Sequence, residues 1–198
     1  MKYQLRDYQK ASDAAVMCFK MKSGRNGLLV LPTGAGKSLI IADIAARLEE
    51  PLIVFQPNKE ILEQNFAKLQ TYGIWDCSIY SASVGRKEIS RITFATIGSV
   101  IRHMKDFQHF KNILIDECHL VKPSDGMYKR FFEQAERRIV GLTATPYRLY
   151  SCMNGSMLKF LTRTRPRVFS QVLYYCQVSV IACQRVSFPV EVLRCHEN

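Results

Sequence analysis

The sequence predicts an α/β fold, a parallel sheet flanked by helices on both faces. Three observations carry that prediction. Short apolar runs alternate with segments of helical spacing through most of the chain, the pattern of strands joined by crossover helices. The stretch Leu31-Pro32-Thr33-Gly34-Ala35-Gly36-Lys37-Ser38 reads as the turn between an apolar strand and a helix. The polar clusters fall at the carboxyl ends of the expected strands, where open sheets of this kind bind ligands.

Taken in order, Leu5-Arg6-Asp7-Tyr8-Gln9 leads into a helix over Ala11 to Met21. A glutamine amide donates and accepts at once, which matches the N6/N7 edge of adenine, so Gln9 with Arg6 is the candidate base-reading pair. Gly27 to Leu31 is the first strand and Leu39 to Leu48 the helix after it. Pro51 to Pro57 reads as a buried strand. Asn58 is placed to cap a helix over Lys59 to Leu69, with Ile61, Leu62, Phe66 and Leu69 as its apolar stripe. Cys77 to Ser83 and Arg91 to Ile97 read as strands separated by a basic turn at Gly85-Arg86-Lys87. A helix is expected over Val100 to Met104, its start held by Thr96 or Ser99. Asn112 to Asp116 and Arg138 to Leu142 are further strands, with a short helix over Tyr128 to Glu136 between them. Beyond Tyr147 the pattern weakens: Met157 to Leu161 reads as helix, Val172 to Tyr175 as strand, and the stretch from about Val180 has no period.

Bulk properties set the class. The chain has 198 residues, 47% apolar and 23% charged, the balance of a soluble domain with one sizeable core. No window is long and apolar enough to span a membrane, and no signal peptide is visible at the amino terminus. Seven cysteines, odd in number and widely spread, do not form a disulfide framework and point to a reducing cytoplasm. Cys176, Cys183, Cys195 and His196 fit no zinc spacing. The net charge of +11 suits a polyanionic partner; a basic soluble surface fits equally, so the motifs decide.

The chemistry sits in two clusters. In the first, Gly34 and Gly36 let backbone N–H groups turn toward phosphate oxygens. Lys37 adds a point charge for the outer phosphates, and Ser38 offers a hydroxyl to Mg²⁺ at a helix amino terminus. The strict phosphate-loop pattern asks for glycine where Leu31 stands. In the second, a strand ends in Asp116-Glu117-Cys118-His119. Asp116 can hold Mg²⁺ and Glu117, one residue on, can polarise a water for attack on the γ-phosphate. His119 is placed to sense the γ-phosphate or to bridge to the next motif, Thr143-Ala144-Thr145-Pro146, and Cys118 reads as a small buried filler.

As a set, these motifs resemble superfamily 2 DEAD/DEAH-box helicases and translocases. LRDYQ is similar to their Gln motif and LPTGAGKS to motif I, whose family form lacks the first glycine. VFQPNKEILEQ resembles motif Ia, FATIGSV motif Ib, DECH motif II and LTATP motif III. The resemblance covers residues 5–146 and is nearest to RadD-like helicases and the helicase part of type III restriction enzymes. It implies a RecA-like P-loop NTPase fold. It implies that Arg6 and Gln9 contact adenine, and that Thr33, Gly34, Ala35, Gly36, Lys37 and Ser38 bind ATP. Ser38 and Asp116 would hold Mg²⁺, while Lys37, Asp116 and Glu117 carry the hydrolysis. His119, Thr143 and Thr145 would couple nucleotide to nucleic acid. Pro57, Asn58, Thr96 and Ile97 would touch the sugar-phosphate backbone, DNA rather than RNA.

The resemblance also sets expectations for the rest. Residues 1–150 are expected to be the helicase ATP-binding domain. Residues 151–198 are expected to be an extension truncated before a second RecA-like domain, by an early stop or a change of frame near Ser179. The family takes its arginine finger from that second domain, and Arg163, Arg165 and Arg167 lack its Gly-Arg context. ATP turnover by this chain is therefore expected to be weak, with the second domain or subunit acting in trans. The competing readings are the motor part of a restriction complex and a solitary nucleotide-binding module. A metabolic kinase is disfavoured by DECH followed by TATP.

Overall fold

The structure, a computed structural model, describes residues 4–22, 26–122, 126–152, 155–160, 169 and 171–175. Helix α1 (Asp7–Lys22) precedes the first strand. Then come β1 (Gly27–Val30), α2 (Lys37–Arg47), β2 (Leu52–Phe55), α3 (Lys59–Thr71), β3 (Cys77–Ser81), β4 (Arg86–Lys87) and β5 (Ile92–Ala95). They are followed by α4 (Ile97–Val100), β6 (Asn112–Ile115), α5 (Met127–Phe132), β7 (Arg138–Thr143), β8 (Tyr147–Cys152), β9 (Gly155–Phe160) and β10 (Gln171–Tyr175). The main sheet has eight strands in the order β10-β1-β7-β6-β2-β5-β3-β4. All neighbours are parallel except the two-residue edge strand β4, which runs antiparallel to β3.

Strands buried on both faces explain the continuous apolar runs. Along β1 and just past it, Leu29 and Leu31 face a core formed with Val16 of α1, Ile40, Ile41 and Ile44 of α2, and Leu62, Phe66 and Leu69 of α3. Leu28 and Val30 face the opposite core, with Val100, Phe107, Phe110 and Phe131. The same alternation splits Leu52 and Val54 from Ile53 and Phe55. Phe55 meets the rings of Tyr128 and Phe131 edge-on at 5.4 and 5.3 Å. Gly141 of β7 is a close approach: a Cβ there would lie 2.6 Å from both Cys118 Sγ and the Phe169 ring.

Several expectations change. Met157 to Leu161 is not helical over its described part. Those residues lie in β9, which pairs antiparallel with β8, Arg148 opposite Lys159. One helical turn does not repay its nucleation, whereas the hairpin bonds six residues of each strand. The boundary expected after residue 150 falls inside β8, and β10 from the expected extension is a parallel strand beside β1. The helix expected from Val100 starts at Ile97, and neither Thr96 nor Ser99 caps it through its side chain. The helix expected over Tyr128 to Glu136 is Met127–Phe132, and the turn at 85–87 contains β4. Arg163, Arg165, Arg167, the carboxyl-terminal cysteines, His196 and the stretch after Ser179 lie outside the described residues. Among the described residues, no helix is long and apolar enough to cross a membrane.

Candidate active site

The glycine-rich turn is built by its backbone. Leu31 N–H donates to Thr143 O at 2.9 Å, extending the β1–β7 ladder by one residue, and Ala35 N–H closes onto Pro32 O at 3.1 Å. Gly34 and Gly36 then take φ of 81° and 76°, which only glycine adopts without strain. Gly36 precedes α2 with no side-chain cap, so the first N–H groups of that helix keep their capacity for an anion. Thr33 and Gly34 are exposed, Ala35 is buried, and Lys37 and Ser38 are half-buried.

The first turn of α1 braces this loop. Gln9, 4% exposed, donates Nε2–H to Ala35 O at 2.9 Å and accepts the Arg6 backbone N–H on Oε1 at 2.9 Å. Tyr8 OH donates to the same Ala35 oxygen at 3.0 Å. A side chain on Gly36 would strike Gln9, its Cβ 2.7 Å from Nε2. So Gln9 meets the loop directly, while Arg6 joins through its backbone and leaves its side chain exposed.

The second cluster lies two strands away, across β7. Asp116 follows β6, its N–H donating to Phe55 O at 3.0 Å. Glu117 then turns into the left-handed region, φ 47° and ψ 47°, a conformation that costs a side-chain-bearing residue about 1–2 kcal/mol. That turn separates the two carboxylates. Glu117 N–H caps Asp116 Oδ1 at 3.0 Å, while the Glu117 carboxylate meets Lys37 Nζ at 3.0 Å and His119 Nδ1 at 3.3 Å. His119 Nδ1 also lies 2.9 Å from Thr143 Oγ1, which accepts Thr145 N–H at 3.1 Å. Loop, acid cluster and β7 end are thus one connected set, and Cys118 is the buried filler the sequence suggests.

Asp116 is 6% exposed. Burial, reinforced by the neighbouring Glu117 charge, raises its pKa to about 6, against the opposing pull of Lys37, the Glu117 N–H and the Asn65 amide. Asn65 is a site residue that the sequence reading missed. Ser38 Oγ–H donates to Asn65 Oδ1 at 2.7 Å, and Asn65 Nδ2 donates to Asp116 Oδ2 and to Gln56 Oε1, both at 3.2 Å. The signal was helix phase: Asn65 shares the face of Leu62, Phe66 and Leu69, where a polar residue needs a partner. Gln56 Nε2 is buried and has no hydrogen-bond partner among the described residues.

The four expected nucleic-acid residues stand apart, at the ends of the adjacent strands β2 and β5, where Gln56 N–H donates to Ala95 O at 2.9 Å. Two of their side chains have structural partners. Asn58 Oδ1 caps α3 by accepting Ile61 N–H at 2.9 Å. Thr96 Oγ1 lies 3.1 Å from Ser81 Oγ and 3.0 Å from Ser99 Oγ. Pro57 and Ile97 are half-buried beside them.

The donor set suits a magnesium-bound triphosphate. Among the described residues no group of three or more His, Cys, Asp or Glu could hold a metal by itself. Ser38 Oγ and Asp116 share the bridging Asn65, and Mg²⁺ is typically held by one or two protein oxygens with phosphates and waters supplying the rest. Positive-φ glycines, a lysine and an uncapped helix start lie beside them, groups of the kind that can cradle a phosphate.

Comparison with known proteins agrees with this geometry. The chain is 30% identical over 150 residues to the DNA 3′-5′ translocase XPB2 of Sulfurisphaera tokodaii, covering 74% of this chain and 32% of that protein. It is 29% identical over 154 residues to the DNA 3′-5′ helicase XPB of Mycobacterium tuberculosis, covering 72% and 27%. The chain therefore spans about a third or less of these curated relatives. Its fold is similar to that of the UvsW helicase of bacteriophage T4, with a TM-score of 0.58 at 23% identity over 73% of this chain and 54% of that one. Residues 2–148 match the family described as Type III restriction enzyme, res subunit, and with the RecA-like sheet and its motifs in place, the chain belongs to that family of superfamily 2 helicase domains.

Proposed function

We propose that this chain is the ATP-binding motor domain of a DNA helicase or translocase, hydrolysing ATP with Mg²⁺ and coupling that step to nucleic acid. The observation that carries the reading is the unbroken series Lys37–Glu117–His119–Thr143, which joins the phosphate loop to the acid cluster and to the end of β7. Lys37 and the N–H groups of the α2 start hold the phosphates. Gln9 keeps one N–H and one lone pair free of its loop contacts, enough to read an adenine edge. Ser38 and Asp116 hold Mg²⁺, which when bound offsets the negative charge that a water must approach. Glu117, released from Lys37 when phosphate takes the amine, accepts the proton of that water. His119 shares its contact between Glu117 and Thr143, so a change at the acid reaches Thr145 and the strand ends.

The two relatives above are named for DNA while others are named as RNA helicases, so the choice of DNA rests on those two, and +11 net charge favours a backbone-directed, salt-sensitive contact. Pro57, Asn58, Thr96 and Ile97 form that contact at the β2 and β5 ends. The arginine finger comes from a second RecA-like domain or subunit, in keeping with the share of its relatives that this chain spans; such a finger is worth about 10³-fold or more, so turnover by this chain alone is weak. The family match favours a restriction complex as the second reading.

The test is ATP binding and turnover by the chain, with and without single-stranded DNA, double-stranded DNA and RNA. Lys37→Ala abolishes nucleotide binding, whereas Glu117→Gln keeps binding and loses turnover. A wild-type chain that binds no nucleotide overturns the reading. Stimulation by RNA and not DNA overturns its choice of substrate.

A further inference from the structure

Asn65 sits where nothing in the apolar patterning of α3 calls for an amide. It is 8% exposed, and all three of its described bonds are to side chains at the site: Ser38 Oγ at 2.7 Å, and Asp116 Oδ2 and Gln56 Oε1 at 3.2 Å. One planar group thus binds the hydroxyl of the phosphate loop and the carboxylate of the acid cluster, which lie 78 positions apart in the sequence (38 to 116). Its polarity is matched to both: the carbonyl oxygen accepts from the hydroxyl, and the amino group donates to the carboxylate. Gln56 anchors it from the end of β2. Gln56 is itself 1% exposed, and its Nε2 has no partner among the described residues. A buried donor left unpaired costs about 1–3 kcal/mol, so this amide pair is not arranged for stability alone.

We infer that Asn65, anchored by Gln56, is the positioning residue of the metal site. It holds Ser38 Oγ and Asp116 at a shared centre before Mg²⁺ arrives, and fixes the Asp116 carboxylate while the metal is bound. The inference rests on the Mg²⁺-nucleotide reading above and adds to it a residue outside the phosphate loop and the acid cluster. Asn65 acts through its two partners and touches neither nucleotide nor reacting atoms. Removing it therefore weakens the metal-dependent part of binding and spares the part made by Lys37 and the loop backbone. Losing such an outer group at a metal site commonly weakens metal affinity about 10–100-fold.

The experiment uses the full chain and a fluorescent ADP analogue, titrated first in EDTA and then against Mg²⁺. Asn65→Ala and Asn65→Leu raise the Mg²⁺ concentration for half-maximal effect by about tenfold, with EDTA affinity within about twofold of wild type; the leucine variant fills the buried position if the alanine cavity prevents folding. A double-mutant cycle supplies the readout that a packing role would not move. In a Ser38→Ala background the Asn65→Ala effect on Mg²⁺ dependence falls to less than half. Unchanged Mg²⁺ dependence in both single variants overturns the inference, as does full additivity with Ser38→Ala. A wild-type chain that binds the analogue while the variants match it removes this inference alone. A wild-type chain that never binds it removes the nucleotide reading as well.

Discussion

The two halves of the sheet's carboxyl edge are built on opposite terms. Above β1, β7 and β6, polar side chains reach across elements distant in sequence: Lys37 to Glu117, Ser38 to Asn65, Asn65 to Asp116, His119 to Thr143. Above β2, β5 and β3 they serve nearby structure: Asn58 caps Ile61 N–H, Thr96 meets Ser99, and Ser81 meets Ser83 and Thr96. The first half carries groups that folding disfavours, namely a buried carboxylate with a raised pKa and a glutamate at positive φ. The second half holds one helix cap, at Asn58, and contacts between neighbouring hydroxyls, with Gln56 at its border bonded to Asn65. The difference teaches where stability has been given up for chemistry. Substitutions in the nucleotide half should spare or raise stability while removing function, and those in the other half should lower stability and leave nucleotide binding alone.

Asp116→Asn breaks the comparison hardest if it fails. The folded state raises this pKa from 3.8 to about 6, so it holds the proton more tightly than the unfolded chain does. Stability from this group is therefore highest below pH 4, falls as pH rises from about 4 to 6, and stays low above that. A neutral amide removes the penalty. Without nucleotide or metal, the variant is more stable than wild type above pH 7 by up to about 3 kcal/mol, and the advantage vanishes near pH 4. Urea titrations at several pH values measure it. Equal stability of the two proteins at pH 8 would show that Asp116 carries no burden, and the asymmetry between the halves would lose its main support.

Glu117 sharpens the same point on the backbone. Glu117→Gly and Glu117→Ala both remove the carboxylate from Lys37 and His119, so their difference isolates φ of 47°. Alanine ordinarily outranks glycine for stability; here glycine is the more stable variant by about 1 kcal/mol, with both inactive in turnover. Thermal melts of the pair read the sign directly.

How much of this was legible in the sequence follows the same physics. Each central strand is buried on both faces, so β1, β2, β6 and β7 stand out as apolar runs, and Gly34 and Gly36 mark the loop because their φ values demand glycine. The Lys37, Ser38, Asp116 and His119 positions were readable for the same reason: fixed spacing beside a strand end. Asn65 and Gln56 were not: Asn65 falls just past the motif that ends at Gln64, with partners 27 and 51 positions away in the chain, and Gln56 is tied to the site only through Asn65. The β8–β9 hairpin was misread because Met157-Leu158-Lys159-Phe160 is too short to show a period. The Asn154-Gly155 dipeptide before it was the available signal for a turn. Strand β10 was recognised, but its place beside β1 was not, because only pairing and the Phe169 contact with Gly141 bring it back to the sheet.

The smallest effect is expected at Asn58, where the two roles assigned to one residue can be separated. Its side chain caps α3, and an N-cap lost to alanine costs about 1 kcal/mol. Aspartate caps equally well and favours the helix dipole, so Asn58→Asp should fold with wild-type stability while placing a negative charge at the end of β2. Nucleotide binding should be unchanged in both variants, since Asn58 bonds to none of Lys37, Ser38, Asp116 or Glu117 among the described contacts. Salt-dependent DNA binding then divides the roles. If Asn58 lies on the nucleic-acid path, the aspartate variant loses several-fold in affinity at low salt through repulsion of the phosphate backbone, although its stability is intact. If Asn58 is only a cap, DNA binding survives in the aspartate variant, and the contact surface must lie elsewhere along the β2 and β5 ends.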